Sequence, residues 1–101
     1  MSSDLPVACT LGPTPWRRRE GLLSELSRRA HAHEELADGH RLSFAAADGT
    51  IPLIMKTVEA ERRCCRFLRF LIVVEPDGGA VSIELTGPPG TREFLSTLFE
   101  S

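Results

Sequence analysis

The sequence lacks a long hydrophobic run. Its longest apolar stretch, Phe67 to Val74, is interrupted by Arg69 and is far shorter than the roughly 18 to 20 apolar residues that a membrane-spanning helix needs. The first residues, Met1 to Asp4, carry neither a basic nor an apolar segment of the kind that begins a signal peptide. We therefore expect a soluble cytoplasmic protein with no membrane partner, and we expect residues 1–4 to be disordered.

The chain also lacks a large excess of charge of either sign. Twelve basic and fourteen acidic side chains give a formal net charge of -2, and Lys56 is the only lysine. Binding to a nucleic acid depends on concentrated positive charge, so we expect no nucleic-acid partner. The 101 residues, of which 42% are hydrophobic, suffice for one modest core. The sequence predicts a single domain over residues 1–101.

Several catalytic motifs are missing as well. No Cys-x-x-Cys or His-Glu-x-x-His is present, and the turn Gly87–Gly90 lacks the lysine and spacing of a phosphate-binding loop. No histidine is tied by its spacing to a nucleophile, which disfavours a hydrolase. We expect no organic cofactor, and a binding protein is favoured over an enzyme.

Glycine and proline divide the remaining sequence into alternating elements. Period-two and helical hydrophobic patterns predict the order βαβαββα. This is an α+β fold with a small mixed sheet and helices packed on it, either thioredoxin-like or a ferredoxin-like two-layer variant, with parallel pairing among the early strands. The predicted elements are strand Leu5–Leu11, a helix from Thr14 to about His33, strand His40–Ala46, a helix from Thr50 or Ile51 to Cys65, a hairpin of Phe67–Glu75 with Val81–Thr86, and a helix from Thr91.

The most distinctive segment, Glu61-Arg62-Arg63-Cys64-Cys65-Arg66-Phe67, places two adjacent thiols among three arginines. The arginine cations favour the thiolate form, whereas Glu61 and the C-terminal end of a helix disfavour it. Adjacent residues on a helix point about 100° apart, so both thiols can reach one ligand only where the helix ends. We expect such an ending before the aromatic strand that follows.

The chain has three cysteines, an odd number that fits reduced thiols better than a disulfide framework. Cys9, at the end of the predicted first strand, is the candidate third ligand beside Cys64 and Cys65. Three thiolates suit a soft metal or metalloid ion such as Hg(II), As(III), Cu(I) or Zn(II), and His31 or His33 could complete a zinc set. A solvated helix end is the favoured alternative for these two histidines.

Two alternatives to ion binding remain open. In the first, the cysteines are buried packing residues of a non-catalytic interaction module, which forms a homodimer through an exposed sheet edge or the last helix. In the second, a thiolate attacks an oxyanion such as arsenate while arginines hold its oxygens, as in a thiol-dependent reductase. The leading hypothesis is a homo-oligomeric protein that binds a soft ion.

Three motifs together resemble a family of small uncharacterised bacterial proteins. They are Ala8-Cys9-Thr10-Leu11, the cysteine pair followed by Phe67, and Thr86-Gly87-Pro88-Pro89-Gly90. The resemblance spans most of the chain and implies an association with mercury or arsenic resistance, with Cys9, Cys64 and Cys65 as thiol ligands. Arg66 departs from the family pattern, in which a proline is expected at this position.

Overall fold

A four-stranded sheet and three helices form the part of the chain that the computed structural model describes, which is residues 13–45 and 49–99 without the side chains of residues 13–20 and of Cys64. The predicted α+β class is confirmed. The predicted strand Leu5–Leu11 lies outside the described residues, as do residues 1–4. In chain order the elements are α1 (Pro13–Arg29), β1 (Ala32–Leu36), β2 (Gly39–Phe44), α2 (Thr50–Cys64), β3 (Arg69–Val74), β4 (Val81–Thr86) and α3 (Thr91–Phe99).

The strands are ordered β1-β2-β4-β3, and every described pair is antiparallel. The expected parallel pairing among the early strands involves the predicted strand Leu5–Leu11, which lies outside the described residues, so it stays a prediction. Among the described strands, both outer pairs are hairpins with short turns. In the second hairpin Asp77 and Gly78 have positive φ angles of 59° and 68°, and the Gly79 N–H donates to the Pro76 carbonyl. This type I′ geometry matches the twist of paired strands.

Strand β1 corrects the predicted end of the first helix. Helix α1 ends at Arg29, and residues 32–36 pair with β2 from Ala32↔Ser43 to Leu36↔Gly39. The segment has no apolar alternation, so its own pattern does not identify a strand. Its conformation follows from the tight turn before Gly39, which folds the chain back onto the more apolar β2.

The helices cover one face of the sheet. Alternate residues of β2 and β4 are buried, including the facing pair Leu42 and Ile83. They form one core with buried residues of all three helices, as expected for a two-layer α+β domain. The core consists of Leu23, Leu26, Leu42, Phe44, Ile54, Val81, Ile83, Leu85, Leu95, Leu98 and Phe99.

The other face of the sheet is more exposed. Arg41 on β2 donates to Glu84 on β4 and to Glu34 on β1, which links three strands by ion pairs. Leu71 and Val73 of β3 lie on the same face and are 41% and 38% exposed. No helix within the described residues is long and apolar enough to cross a membrane.

Candidate functional site

The predicted cysteine pair lies where α2 ends. The helix begins after Gly49, whose φ of 87° suits glycine, and it runs to Cys64. Ile54, Glu61 and Cys65 form a buried stripe along it, as their helical spacing predicts. The backbone leaves the helix at Cys65, with φ and ψ of -110° and 78°. The expected end of the helix beside the cysteines is therefore confirmed.

A tight turn holds Cys65 between α2 and β3. The Cys65 N–H donates to the Glu61 carbonyl at 2.6 Å, which closes the helix, and the Leu68 N–H donates to the Cys65 carbonyl at 3.1 Å, which closes the turn. Both backbone groups of Cys65 are thus used in hydrogen bonds. The position of this cysteine is set by the helix end on one side and by the turn on the other.

The side chain of Cys65 is completely buried. Its exposed fraction is 0%, and it packs with Phe67, Leu68 and Phe94. The rings of Phe67 and Phe94 meet edge to face, with their centroids 5.6 Å apart. This small cluster packs the turn against α3, so Cys65 contributes to packing in addition to any role as a ligand.

A cavity of about 540 Å³ opens beside this cysteine. Arg62 and Arg66 contribute positive charge, and both residues are exposed. Neither takes part in any ion pair between described side chains. The lining consists of Val58, Arg62, Cys65, Arg66, Leu68 and Phe70. Such a cavity can accept an anion, or an ion whose complex with thiolates is negatively charged.

The remaining predicted site residues have separate positions. Glu61 is completely buried and Arg63 is exposed. Cys9 and the side chain of Cys64 lie outside the described residues, so the predicted meeting of three thiols is not tested. Among the side chains that the structure describes, no three of His, Cys, Asp and Glu converge to hold a metal ion.

A histidine pair that the sequence analysis did not identify lies in a second cavity, of about 320 Å³. His33 Nε2 and His40 Nδ1 are 2.9 Å apart, and His40 Nε2 lies 2.9 Å from the Arg92 carbonyl oxygen. Phe99 packs edge to face against both rings. The cavity is lined by Ser27, His33, Glu35, His40, Ser96 and Phe99.

The Arg92 carbonyl fixes the direction of these hydrogen bonds. A carbonyl only accepts, so His40 Nε2 carries a proton; in the neutral His40 ring Nδ1 then accepts, and His33 Nε2 donates to it. Partial burial of His33 lowers its pKa below the ordinary value of 6.5, positive charge on His40 adds to the shift to a lesser degree, and Glu35 opposes it. The chain of hydrogen bonds connects the first hairpin to α3.

The hairpin explains why both histidines face the helices. Glu35 pairs directly with His40, and His33 lies two residues before Glu35 on the same face of the sheet. Recognition of the turn before Gly39 would have placed His33 beside His40. The structure puts His33 and Cys65 in different cavities, so these two residues do not share one ligand set; Cys9 and the side chain of Cys64 lie outside the described residues. The favoured alternative of a solvated helix end is also wrong for His33, because it lies in a strand.

Comparison of the chain with protein-family models, with curated proteins and with solved structures gave no match. The assignment of a function therefore depends on the geometry of the two cavities and of the sheet.

Proposed function

We propose that this protein binds a soft metal or metalloid ion through thiols at the connection between α2 and β3. The observation that carries the proposal is the placement of Cys65 at the helix end, against a cavity lined by Arg62 and Arg66. The ligands are Cys65, its neighbour Cys64 and, as the third thiolate, Cys9. The odd number of cysteines is consistent with reduced thiols, and we propose the cytoplasm as the compartment.

Charge supports this choice of ligand. Thiolates are the form of cysteine that binds metals, and a complex of Cu(I) with two or three thiolates, or of Hg(II) with three, is negatively charged. Arginine stays protonated, so Arg62 and Arg66 can offset that charge. The apolar side chains of Val58 and Phe70 reduce the contact of the bound ion with water, which strengthens the electrostatic interaction.

Access to Cys65 requires a movement of the turn. The side chain has no exposed surface, and only the two residues Arg66 and Phe67 separate Cys65 from the Leu68 N–H that closes the turn. Rotation of this turn would uncover the thiol without disrupting the sheet. The proposal therefore implies that Cys65 reacts slowly with a thiol reagent in the free protein and is ordered around the ion in the complex.

Native mass spectrometry of the reduced full chain tests the proposal. We expect one Hg(II) or As(III) per chain, and we expect loss of tight binding in Cys64→Ser and Cys65→Ser. Arg62→Gln and Arg66→Gln should weaken the binding of Hg(II) by three thiolates, whereas Arg29→Gln, at an exposed position on α1, is the matched control. Absence of a bound ion, or binding that persists in both cysteine variants, would overturn the proposal.

A second candidate function is a non-catalytic interaction module that assembles with another copy of the chain. It is favoured by the complete burial of Cys65 in a packing cluster and by the exposure of β3. The last helix does not serve as the interface in this hypothesis, because Leu95, Leu98 and Phe99 are buried in the core. The reductase hypothesis stays a prediction that requires turnover with a thiol donor.

A further inference from the structure

One edge of the sheet has no neighbouring strand among the described residues. Strand β3 pairs with β4 on one side only, and it is the last strand in the order. Its residues Leu71, Val73 and Val74 are 41%, 38% and 56% exposed. An apolar edge strand with unpaired backbone groups is a template for another strand. A partner strand must therefore match the backbone groups that this edge offers.

The hydrogen bonds between β3 and β4 determine which backbone groups of β3 point to the free edge. The Glu75 N–H donates to the Ala80 carbonyl at 3.0 Å, one position beyond the pair Val74↔Val81. Hydrogen-bonded pairs alternate along an antiparallel ladder, so the odd-numbered residues of β3 bond to β4. The N–H and C=O groups of Phe70, Ile72 and Val74 therefore point away from β4, toward the free edge.

Strand β3 has little of the usual protection of an edge strand. It contains neither lysine nor proline, its one charged residue is Arg69 at its start, and its one-to-one register with β4 has no bulge. Strand β1, at the opposite edge, has the adjacent acidic residues Glu34 and Glu35 in a five-residue strand. The two edges thus differ, and only β3 combines an apolar surface with a regular set of backbone donors and acceptors.

We propose that two copies of this chain pair antiparallel through β3, with Ile72 opposite Ile72 on the two-fold axis. In this register Phe70 lies opposite Val74, and every backbone group that points to the free edge finds a partner. The two sheets become one continuous sheet, with the four described strands of each copy. The interface is isologous, as expected for a dimer with two-fold symmetry.

The side chains on the exposed face support this register. Alternation places Arg69, Leu71 and Val73 of β3 in one row, and Glu75, the residue after the strand, continues this row because its N–H still donates to the Ala80 carbonyl. When the row is laid antiparallel on a copy of itself around Ile72, Arg69 faces Glu75 and Leu71 faces Val73. Opposite charges therefore pair at both ends, and apolar side chains pair in the centre. This self-complementarity favours a second copy over an unrelated partner. The inference deepens the second candidate function and does not depend on ion binding.

Sedimentation velocity of the reduced full chain measures the assembly. We expect a monomer–dimer equilibrium between about 1 μM and about 500 μM. Val74→Pro removes an edge N–H that β4 does not use, so the variant should keep its fold and remain monomeric over this range. Val74→Thr keeps that N–H and is the matched control, which should still dimerise. Circular dichroism verifies that both variants are folded.

Charge reversal tests the register. Arg69→Glu alone puts two carboxylates opposite each other at both ends of the interface, and Glu75→Arg alone puts two guanidinium groups there. Each single variant should raise the dimer dissociation constant roughly tenfold. The double variant restores opposite charges and should return the constant to within about threefold of the original. A dimer dissociation constant that changes neither in Val74→Pro nor in the charge-reversal variants would overturn the proposed interface.

Hydrogen exchange distinguishes a second copy from another segment of the same chain as the partner of the β3 edge. The amides of Ile72 and Val74 should become protected as the chain concentration rises, in parallel with dimer formation. A chain that stays monomeric overturns the proposal. If these amides are nevertheless protected in that monomer, the edge is covered by a segment of the same chain, for which the predicted strand Leu5–Leu11 is the candidate. Ion binding is measured separately, so failure of the dimer does not affect the proposed thiol site.

Discussion

Cys65 is a ligand in the proposed function and a packing residue in the structure, and two substitutions separate these roles. A serine hydroxyl in place of the buried thiol should lower the free energy of unfolding by about 1 to 3 kcal/mol, because a polar group is then buried in an apolar cluster. Cys65→Ala removes the sulfur without adding a polar group, and we expect it to be less destabilising. Urea unfolding of the reduced, ion-free protein measures both. Equal stability of the serine variant and the original chain would show that water reaches this position.

His33 should make stability depend on pH. Its pKa is lowered in the folded protein, chiefly by burial and then by His40, so the folded state favours the neutral ring. The unfolded chain binds a proton more readily, with a pKa near the ordinary 6.5. The stabilisation from this group is therefore complete above that value and is lost as the pH falls through the lower pKa of the folded state.

The variant His33→Gln tests this prediction, because its amide can still donate to His40 Nδ1 but does not titrate. The free energy of unfolding of the original chain should fall between about pH 7.5 and about pH 5, and the variant should lose less over the same interval. His31→Gln is a matched control from the neighbouring segment. We expect its free energy of unfolding to depend on pH as that of the original chain does. Identical profiles for His33→Gln and the original chain would contradict the assignment.

At the scale of elements, sequence patterns predict those parts whose own residues determine their structure. Helix α2 has its apolar stripe, and the hairpin of β3 and β4 has alternating strands around Asp77-Gly78, a dipeptide that adopts the required positive φ angles. Strand β1 could not be predicted in this way, because its polar residues are held by pairing with β2. The end of α2 at the cysteines was predictable, whereas the cavity beside them depends on Phe70 from another element.

Two glycines provide a contrast between an open helix surface and a close approach of strands. A Cβ at Gly39 would lie 1.8 Å from the Leu85 carbonyl oxygen, a backbone atom that cannot move without disturbing the sheet. We expect Gly39→Ala to lower the free energy of unfolding by more than about 3 kcal/mol. At Gly21, within α1, a Cβ would meet no described atom within 4 Å.

Gly21→Ala is therefore the control, and it should raise the free energy of unfolding by about 0.5 to 1 kcal/mol, because alanine favours the helix. Chemical denaturation of both variants gives the comparison. If Gly39→Ala is as stable as the original chain, then β2 and β4 do not approach each other as closely as the pair Gly39↔Thr86 indicates.

For the molecule as a whole, ion binding makes the free energy of unfolding depend on the concentration of the ion, and self-association makes it depend on the concentration of the chain. An ion that binds only the folded chain stabilises it by about 1.4 kcal/mol for each tenfold excess over its dissociation constant. For a domain of this size that corresponds to an increase in Tm of roughly 5 to 10 °C. Adjacent cysteines also bind such ions in an unfolded chain, which reduces the increase. We expect As(III) to raise the Tm of the original chain but not that of Cys65→Ser.

The proposed dimer makes Tm depend on the concentration of the chain itself. When a dimer unfolds to two separate chains, mass action favours the folded state at higher concentration, by about 1.4 kcal/mol of dimer for each tenfold increase. The ion-free original chain should therefore gain roughly 3 to 5 °C in Tm per tenfold increase, once the dimer is the main species. Val74→Pro, which lacks the edge N–H, should unfold at a Tm independent of its concentration, and Val74→Thr should behave like the original chain. Calorimetry of the three proteins without added ion makes the comparison. A constant Tm for the original chain, at concentrations where sedimentation shows a dimer, would mean that the copies separate before they unfold, and that pairing through β3 adds nothing to the stability of the fold.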